Sequence, residues 1–384
     1  MSLGKSVQEA LKDYGLVACM QCGMCIGSCP LSTRSRFNVR RLINSLAIKG
    51  EAALNGAELW DCTTCYICGY RCPRDVKLLD FIVSLRASFI EEGKVPSTLG
   101  EALENVFKQG NPWGRSRAKR GDWAQGLGVK LLSEAKRADV LLFTCCASAY
   151  DTRAQLATRA LVEVFKASGV DFAILGEEEV CCGNEVYNLG EMGLFEELMS
   201  SNLETVDRYE VGLIVTTSPH CYHALKNRYR GLKAEVKHYT QYLCELLDEG
   251  RLKVQGRVGE EVTYHDPCYL GRHNRVYEEP RKLLEACLSR GLVEMDRSRS
   301  RSLCCEGGGG RMWYEGPPGQ RLSEVRVDEA LRTGASIIAV ACPFCLANLE
   351  DAVKTVGVEE KLRVMDIAEL LLKDLSLQPS LTVV

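Results

Sequence analysis

Cys19-Met-Gln-Cys-Gly-Met-Cys-Ile-Gly-Ser-Cys-Pro30 sets four cysteines at gaps of two, two and three residues and closes on a proline. The spacing returns in Cys62-Thr-Thr-Cys-Tyr-Ile-Cys-Gly-Tyr-Arg-Cys-Pro73. Two-residue gaps let a chain wrap one compact inorganic core with successive thiolates. The pattern is that of bacterial two-cluster [4Fe–4S] proteins, in which the fourth cysteine of each run serves the other cluster. The expected ligand sets are therefore Cys19, Cys22, Cys25 and Cys72 for one cubane, and Cys62, Cys65, Cys68 and Cys29 for the other. The competing reading is a pair of zinc sites, but structural zinc pairs short hooks across a longer loop. With 32 residues between Cys29 and Cys62, the module is expected to be helical rather than a compact β-rich ferredoxin. Short helices are expected over Val39–Leu46 and Ala52–Leu59, and a longer one over Leu78–Glu92, where Leu79, Ile82, Val83, Leu85 and Ile90 have rough helical periodicity.

Outward from this module, residues 1–98, lies a stretch punctuated by Gly110, Pro112, Gly114, Gly121, Gly126 and Gly128. Residues 99–137 read as a linker. Its basic run, Arg115, Arg117, Lys119 and Arg120, is either a solvated connector or a docking strap for an acidic partner. Beyond it an internal repeat begins, dividing the rest into halves 138–252 and 253–384. Val140–Phe143 runs into Cys145-Cys146, Leu213–Val215 into Ser218-Pro-His-Cys221, Val262–Tyr264 into Cys268, and Ile337–Val340 into Cys342-Pro-Phe-Cys345. Helical sequence follows at Ala154–Ala167 and Arg321–Arg332. Strand, cysteine turn and helix form the α/β pattern that sets functional groups at the carboxyl ends of strands. The fold class is thus α+β overall: a helical two-cubane domain, then a pseudo-duplicated α/β cysteine-rich domain.

Cysteine numbers in the repeat are too regular for packing alone. Cys268 is followed after 35 residues by Cys304-Cys305, and after 36 more by Cys342 and Cys345. Cys146 is followed after 34 by Cys181-Cys182, and after 35 more by Ser218 and Cys221, an offset of 122 to 124 residues. Adjacent cysteines do not easily face one tetrahedral metal, but they can bridge neighbouring irons of a larger, distorted cluster. Five thiolates exceed what one cube needs. Cys244 and Cys287, in apolar helical stretches, read instead as buried structural residues.

Together these features resemble a family, the catalytic subunit of heterodisulfide reductase, in the form where the small iron–sulfur subunit is fused to the CCG-domain subunit. The resemblance covers nearly the whole chain. It implies a noncubane [4Fe–4S] cluster on Cys268, Cys304, Cys305, Cys342 and Cys345, at a site where a disulfide is split. It implies a second on Cys146, Cys181, Cys182 and Cys221, where Ser218 departs from the pattern, since serine is a hard and poor ligand for such a cluster. That half then holds a smaller cluster, recruits Cys145, or holds none. The resemblance further implies that electrons reach a small-molecule or protein disulfide from a partner subunit, a flavoprotein or a membrane cytochrome b. Two other classes fit the same motifs: the iron–sulfur subunit of a 2-hydroxyacid or glycerol-3-phosphate dehydrogenase, and a relay with no substrate site.

Composition sets the outer bounds. The 384 residues carry 48 basic and 51 acidic side chains, a net charge of −3 that gives no footprint for nucleic acid. No apolar run is long enough for a membrane span, and Met1–Leu16 lacks an apolar core expected of a secretory leader. The 20 cysteines in a long chain point to metal rather than a disulfide scaffold. A cytoplasmic protein is expected, peripheral at a membrane only through a partner. His220, His223 and His265 beside the cysteines are candidate proton donors or hydrogen bonders. Gly307–Gly310 lacks the Lys-Ser/Thr of a phosphate loop and reads as letting backbone approach the cluster beside Cys305. Arg272 and Arg311 are candidate anion holders or plain surface charge.

Overall fold

In the computed structural model, which describes residues 7–50, 56–315 and 321–377, the N-terminal module is helical. Helices Val39–Lys49 and Leu78–Glu91 lie where periodicity placed them. Of the expected helix over Ala52–Leu59, residues 52–55 lie outside the described residues, and Gly56–Asp61 is a 3-10 helix. Leu78–Glu91 buries Leu78, Phe81, Ile82, Leu85 and Phe89. A helix apolar on nearly every side must be covered on every side, and here the repeat domain supplies the cover. Gly190 approaches so closely that a Cβ there would stand 2.3 Å from the Ala87 nitrogen.

The segment read as a linker is structured. Helix Ser97–Gln109 buries Leu99, Ala102 and Val106, and β1, Lys130–Leu131, pairs with the first sheet. Arg120 from its basic run is 2% exposed, so it is neither connector surface nor strap.

The first half is a five-stranded sheet of β1, β2 (Val140–Phe143), β3 (Phe172–Ile174), β4 (Leu213–Thr216) and β5 (Glu235–His238), in the order β1-β3-β2-β4-β5. The second is four-stranded, from β6 (Val262–Tyr264), β7 (Leu292–Val293), β8 (Ile337–Val340) and β9 (Arg363–Asp366), in the order β7-β6-β8-β9. All pairings are parallel, with Leu141 opposite Ile214 and Val262 opposite Ile337. Parallel strands are covered on both faces, which is why β2 and β8 are unbroken apolar runs. Apart from β1 the two orders are the same, strand for strand.

The halves dock reciprocally. Helix Thr152–Ala167, after β2, packs on Ile367–Asp374, after β9. Tyr239–Asp248, after β5, packs on Glu278–Cys287, after β6. Each half thus sets the long helix that follows β2 or β6 against the other's last, as in an isologous dimer. One apolar core, including Leu161, Leu243, Leu284 and Leu371, runs through both. Arg153 crosses the seam to Glu369 at 2.8 Å, and the Tyr239 hydroxyl donates to Asp366 at 2.6 Å.

Candidate metal centres

Both N-terminal runs wrap the chain in one way. Gln21 and Thr64, at matching positions, have φ of 56° and 51°, and Gly23 and Tyr66 have φ of 82° and 63°. These left-handed residues turn successive thiols to one side. One cavity is lined by Cys19, Cys22, Cys25 and Cys72, with no carboxylate among its lining residues. Such a soft donor set suits iron–sulfur chemistry and not hard cations. Cys29 lies instead with Cys62, Cys65 and Cys68, and burial, followed by the neighbouring Cys65, pushes its thiol up to about 12. The crossed grouping of the fourth cysteines is the one the spacing predicts. The first site reaches the surface, with Cys22 exposed, whereas Cys62 and Cys65 are buried.

Cys65 is also the bridge to the repeat domain. Its thiol lies beside that of Cys304, and Leu31, Cys65, Cys268, Tyr269 and Cys304 belong to one buried cluster. Arg272, 2% exposed, donates to Cys65 O at 2.8 Å and Ser302 O at 2.7 Å. It clamps the two cysteine motifs together and, being buried, is no plain surface charge. Arg86 performs the same service from the buried helix, donating to Leu59 O, Cys62 O, Asn188 O and Gly309 O. The glycine run makes its close approach to the backbone of the second N-terminal cysteine run. A Cβ on Gly309, whose φ is +68°, would stand 2.3 Å from Cys62 O.

The second-half motif converges at the carboxyl ends of β6 and β8. The Cys268 and Cys305 thiols lie beside that of Cys304, and the Cys342 thiol beside that of Cys345. The Cys305 and Cys345 sulfurs are 3.2 Å apart. His265 joins them, with its ligating atom and both sulfurs within 4.8 Å of one another. Its Nδ1 accepts from Arg326 Nε at 3.1 Å, leaving the other nitrogen for Cys305. Cys342 is held down to about 6; burial pushes it up most, but hydrogen bonds from Cys345 and His220 outweigh that.

His220 comes from the other half, so the histidine of one motif serves a cysteine of the other. Its Nδ1 contacts Glu185 Oε1 at 2.9 Å. Burial works to lower its pKa, but Cys342 and Glu185 hold it well above the ordinary value. Glu185 is fixed by Asn184, Asn188 and the Gly310 amide. His220 and Phe344, which match in the repeat, lie against each other with ring centres 4.8 Å apart. His223 has no such role: it is half-buried against Asn227, Asn274, Tyr269 and His273, and loss of solvent lowers it to about 3. Arg311 pairs with Glu306 and lies over Tyr314. Cys244 and Cys287 donate to Glu279 O and Leu284 O within helices, apart from the motifs, as packing residues.

In the first half Cys146, Cys181, Cys182 and Cys221 line a single cavity together with Cys145, Ser218 and His220. Arg120, which sequence did not single out, places both terminal nitrogens 3.5 Å from Cys146 Sγ and pairs with Glu179 at 2.5 Å. The halves also share an N–H···S contact: Gly183 N to Cys181 Sγ at 3.4 Å, and Glu306 N to Cys304 Sγ at 3.3 Å. Both residues have φ of 73°, so Glu306 holds a glycine-like turn.

Comparison with known proteins agrees with this architecture. Residues 15–76 match the 4Fe-4S dicluster domain, and 140–226 and 262–350 match the CCG cysteine-rich domain. One subunit of the dihydromethanophenazine:CoB–CoM heterodisulfide reductase of Methanosarcina barkeri is 31% identical over 97% of this chain and 97% of its own length. The chain belongs to the family of that heterodisulfide reductase subunit. Its matched domains are iron–sulfur domains, and that relative is one subunit of a reductase. Among other members, a probable membrane-anchored ferredoxin of Chromohalobacter salexigens is 35% identical over 96% of this chain, and an EtfAB:quinone oxidoreductase of Syntrophomonas wolfei is 34% identical over 95%. The chain spans 61% and 60% of the length of these two relatives. Among the described residues, no helix of this family member is long and apolar enough to cross a membrane.

Proposed function

We propose that this chain carries electrons from a partner subunit through two cubanes to a noncubane cluster that reduces a disulfide. Cys19, Cys22, Cys25 and Cys72 hold the outer cubane, and Cys29, Cys62, Cys65 and Cys68 the inner one. Cys268, Cys304, Cys305, Cys342 and Cys345 hold the noncubane cluster. The contact between Cys65 and Cys304 carries the reading, because it puts a cysteine of the inner set against one of the repeat set. When bound, the clusters supply reducing equivalents one electron at a time; two electrons and two protons turn a disulfide into two thiols. His220 is placed to hold one proton on the nitrogen facing Cys342, and Glu185 keeps it there.

The donor docks at the exposed end. Met20 and Met24 flank Cys22 and, with Val17, are 59%, 44% and 69% exposed, an apolar face for a flavoprotein or a cytochrome b. A domain division of 1–98, 99–137, 138–252 and 253–384 suits this path, with the segment 99–137 packed onto the first half.

Turnover with an artificial one-electron donor tests the assignment. Cys305→Ala abolishes disulfide reduction while both cubanes remain reducible. A wild-type iron content of about eight per chain would remove the repeat-domain cluster from the account. The higher identity to an EtfAB:quinone oxidoreductase favours a second reading, a relay from a flavoprotein toward quinone with no disulfide site. Exposure to thiol plus oxidant separates the two: a new paramagnetic species appears with a disulfide site and not with a relay.

A further inference from the structure

The halves differ at two matching positions at once. Where the second half has Pro267 and Cys342, the first has Cys145 and Ser218. We propose that Cys145 is the fifth thiolate of the first-half site, so that Cys145, Cys146, Cys181, Cys182 and Cys221 hold a second noncubane iron–sulfur cluster. The inference rests on the cluster reading above and extends it to the half that its motif leaves incomplete.

Ser218 occupies the place of Cys342 in the backbone. Each is the residue before a helix that opens on proline, at the carboxyl end of β4 or β8. The Ser218 hydroxyl is turned to the helix, where it accepts from His220 N at 3.3 Å. In the second half two thiols stand beside Cys345, those of Cys305 and Cys342. In the first half the two beside Cys221 are those of Cys182, the counterpart of Cys305, and Cys145, which also lies near Cys182. Cys145 thus stands where the missing sulfur belongs, in a cavity shared with the other four.

The backbone at Cys145 is built for that task. Its φ of 70° and ψ of 147° fall beside a region that is nearly glycine-only. The proline at the matching position 267 cannot enter that region, because its ring fixes φ near −65°. A residue with a side chain persists there only where its surroundings over-determine it. Glu179 does so: its carboxylate accepts from Thr144 N at 2.8 Å and from Cys145 N at 3.1 Å, and it is itself clamped by Arg120. The swap also accounts for all 20 cysteines: eight in the N-terminal runs, five in each half, and Cys244 and Cys287 in helices.

Anaerobic iron analysis with Mössbauer spectroscopy of the full chain tests this. The wild type holds about 16 irons, and Cys145→Gly loses about a quarter of them. Glycine adopts the +70° backbone freely, so the fold stands, and the unchanged second-half signal verifies it. Ser218→Ala keeps all the iron, and the double variant Cys145→Gly/Ser218→Cys recovers what Cys145→Gly lost. Equal iron in the wild type and Cys145→Gly overturns the role of Cys145, as does loss of the same iron in Ser218→Ala. About eight irons in the wild type would overturn the repeat-domain clusters as a whole, this one included.

Discussion

Cys72 is separated from Cys25 by 46 residues, yet it lines the cavity of Cys19, Cys22 and Cys25 and not that of its own run. Cys72→Ala should therefore erase the EPR signal of the surface cubane and spare the buried one; the opposite loss would show that ligation is not crossed. Arg120 is a different kind of residue. It is buried with Glu179, and removing one member of such a pair strands the other charge. Arg120→Gln should lower stability by about 3–5 kcal/mol, read as the denaturant midpoint of the full chain, and a change under about 1 kcal/mol would mean the pair is solvent-relaxed. Nothing in the sequence marked this arginine, because three neighbours share its charge and only the fold buries one of them. The eight N-terminal cysteines were legible, since their spacing is itself the chemistry. The partnership of His220 with Cys342 was not, because it joins groups 122 residues apart.

At the scale of elements, strands such as β2 and β8 could be read directly, because burial on both faces leaves an uninterrupted apolar run. Helix Ser97–Gln109 could have been found from Leu99, Ala102 and Val106, which lie one helical turn or so apart, but the glycines after it drew the whole stretch into a linker. β1 offers only two residues, one of them an exposed lysine, and no local signal announces it. The glycine run is where two elements meet most tightly. Gly309→Ala would force a Cβ against Cys62 O from a left-handed backbone, at a cost of about 1–3 kcal/mol. Thermal unfolding should detect the loss, accompanied by a perturbed spectrum of the buried cubane. An unshifted midpoint and spectrum would show that the loop yields.

For the whole molecule, the seam between the halves carries a pH signature. Burial first of all pushes the Asp366 carboxyl up to about 7, against hydrogen bonds from Tyr239 and Ala368 N that lower it. An acid raised on folding contributes stability below its unfolded pKa near 3.9 and loses it as pH rises through about 7, on the order of 4 kcal/mol in all. Asp366→Asn keeps the acceptor for Tyr239 and cannot ionise. Its melting temperature should gain on the wild type between pH 4 and pH 7 and hold a level gap above that, and a gap constant throughout would refute the raised carboxyl. The reciprocal helix docking has a further consequence. Two identical chains meeting in this way must carry every substitution twice, so a proline required beside one cluster would be imposed on the other. Joining them into a single polypeptide lifts that obligation. Each copy then accumulates changes of its own, and one ancestral surface can diverge into a pocket for chemistry and a wall that supports it.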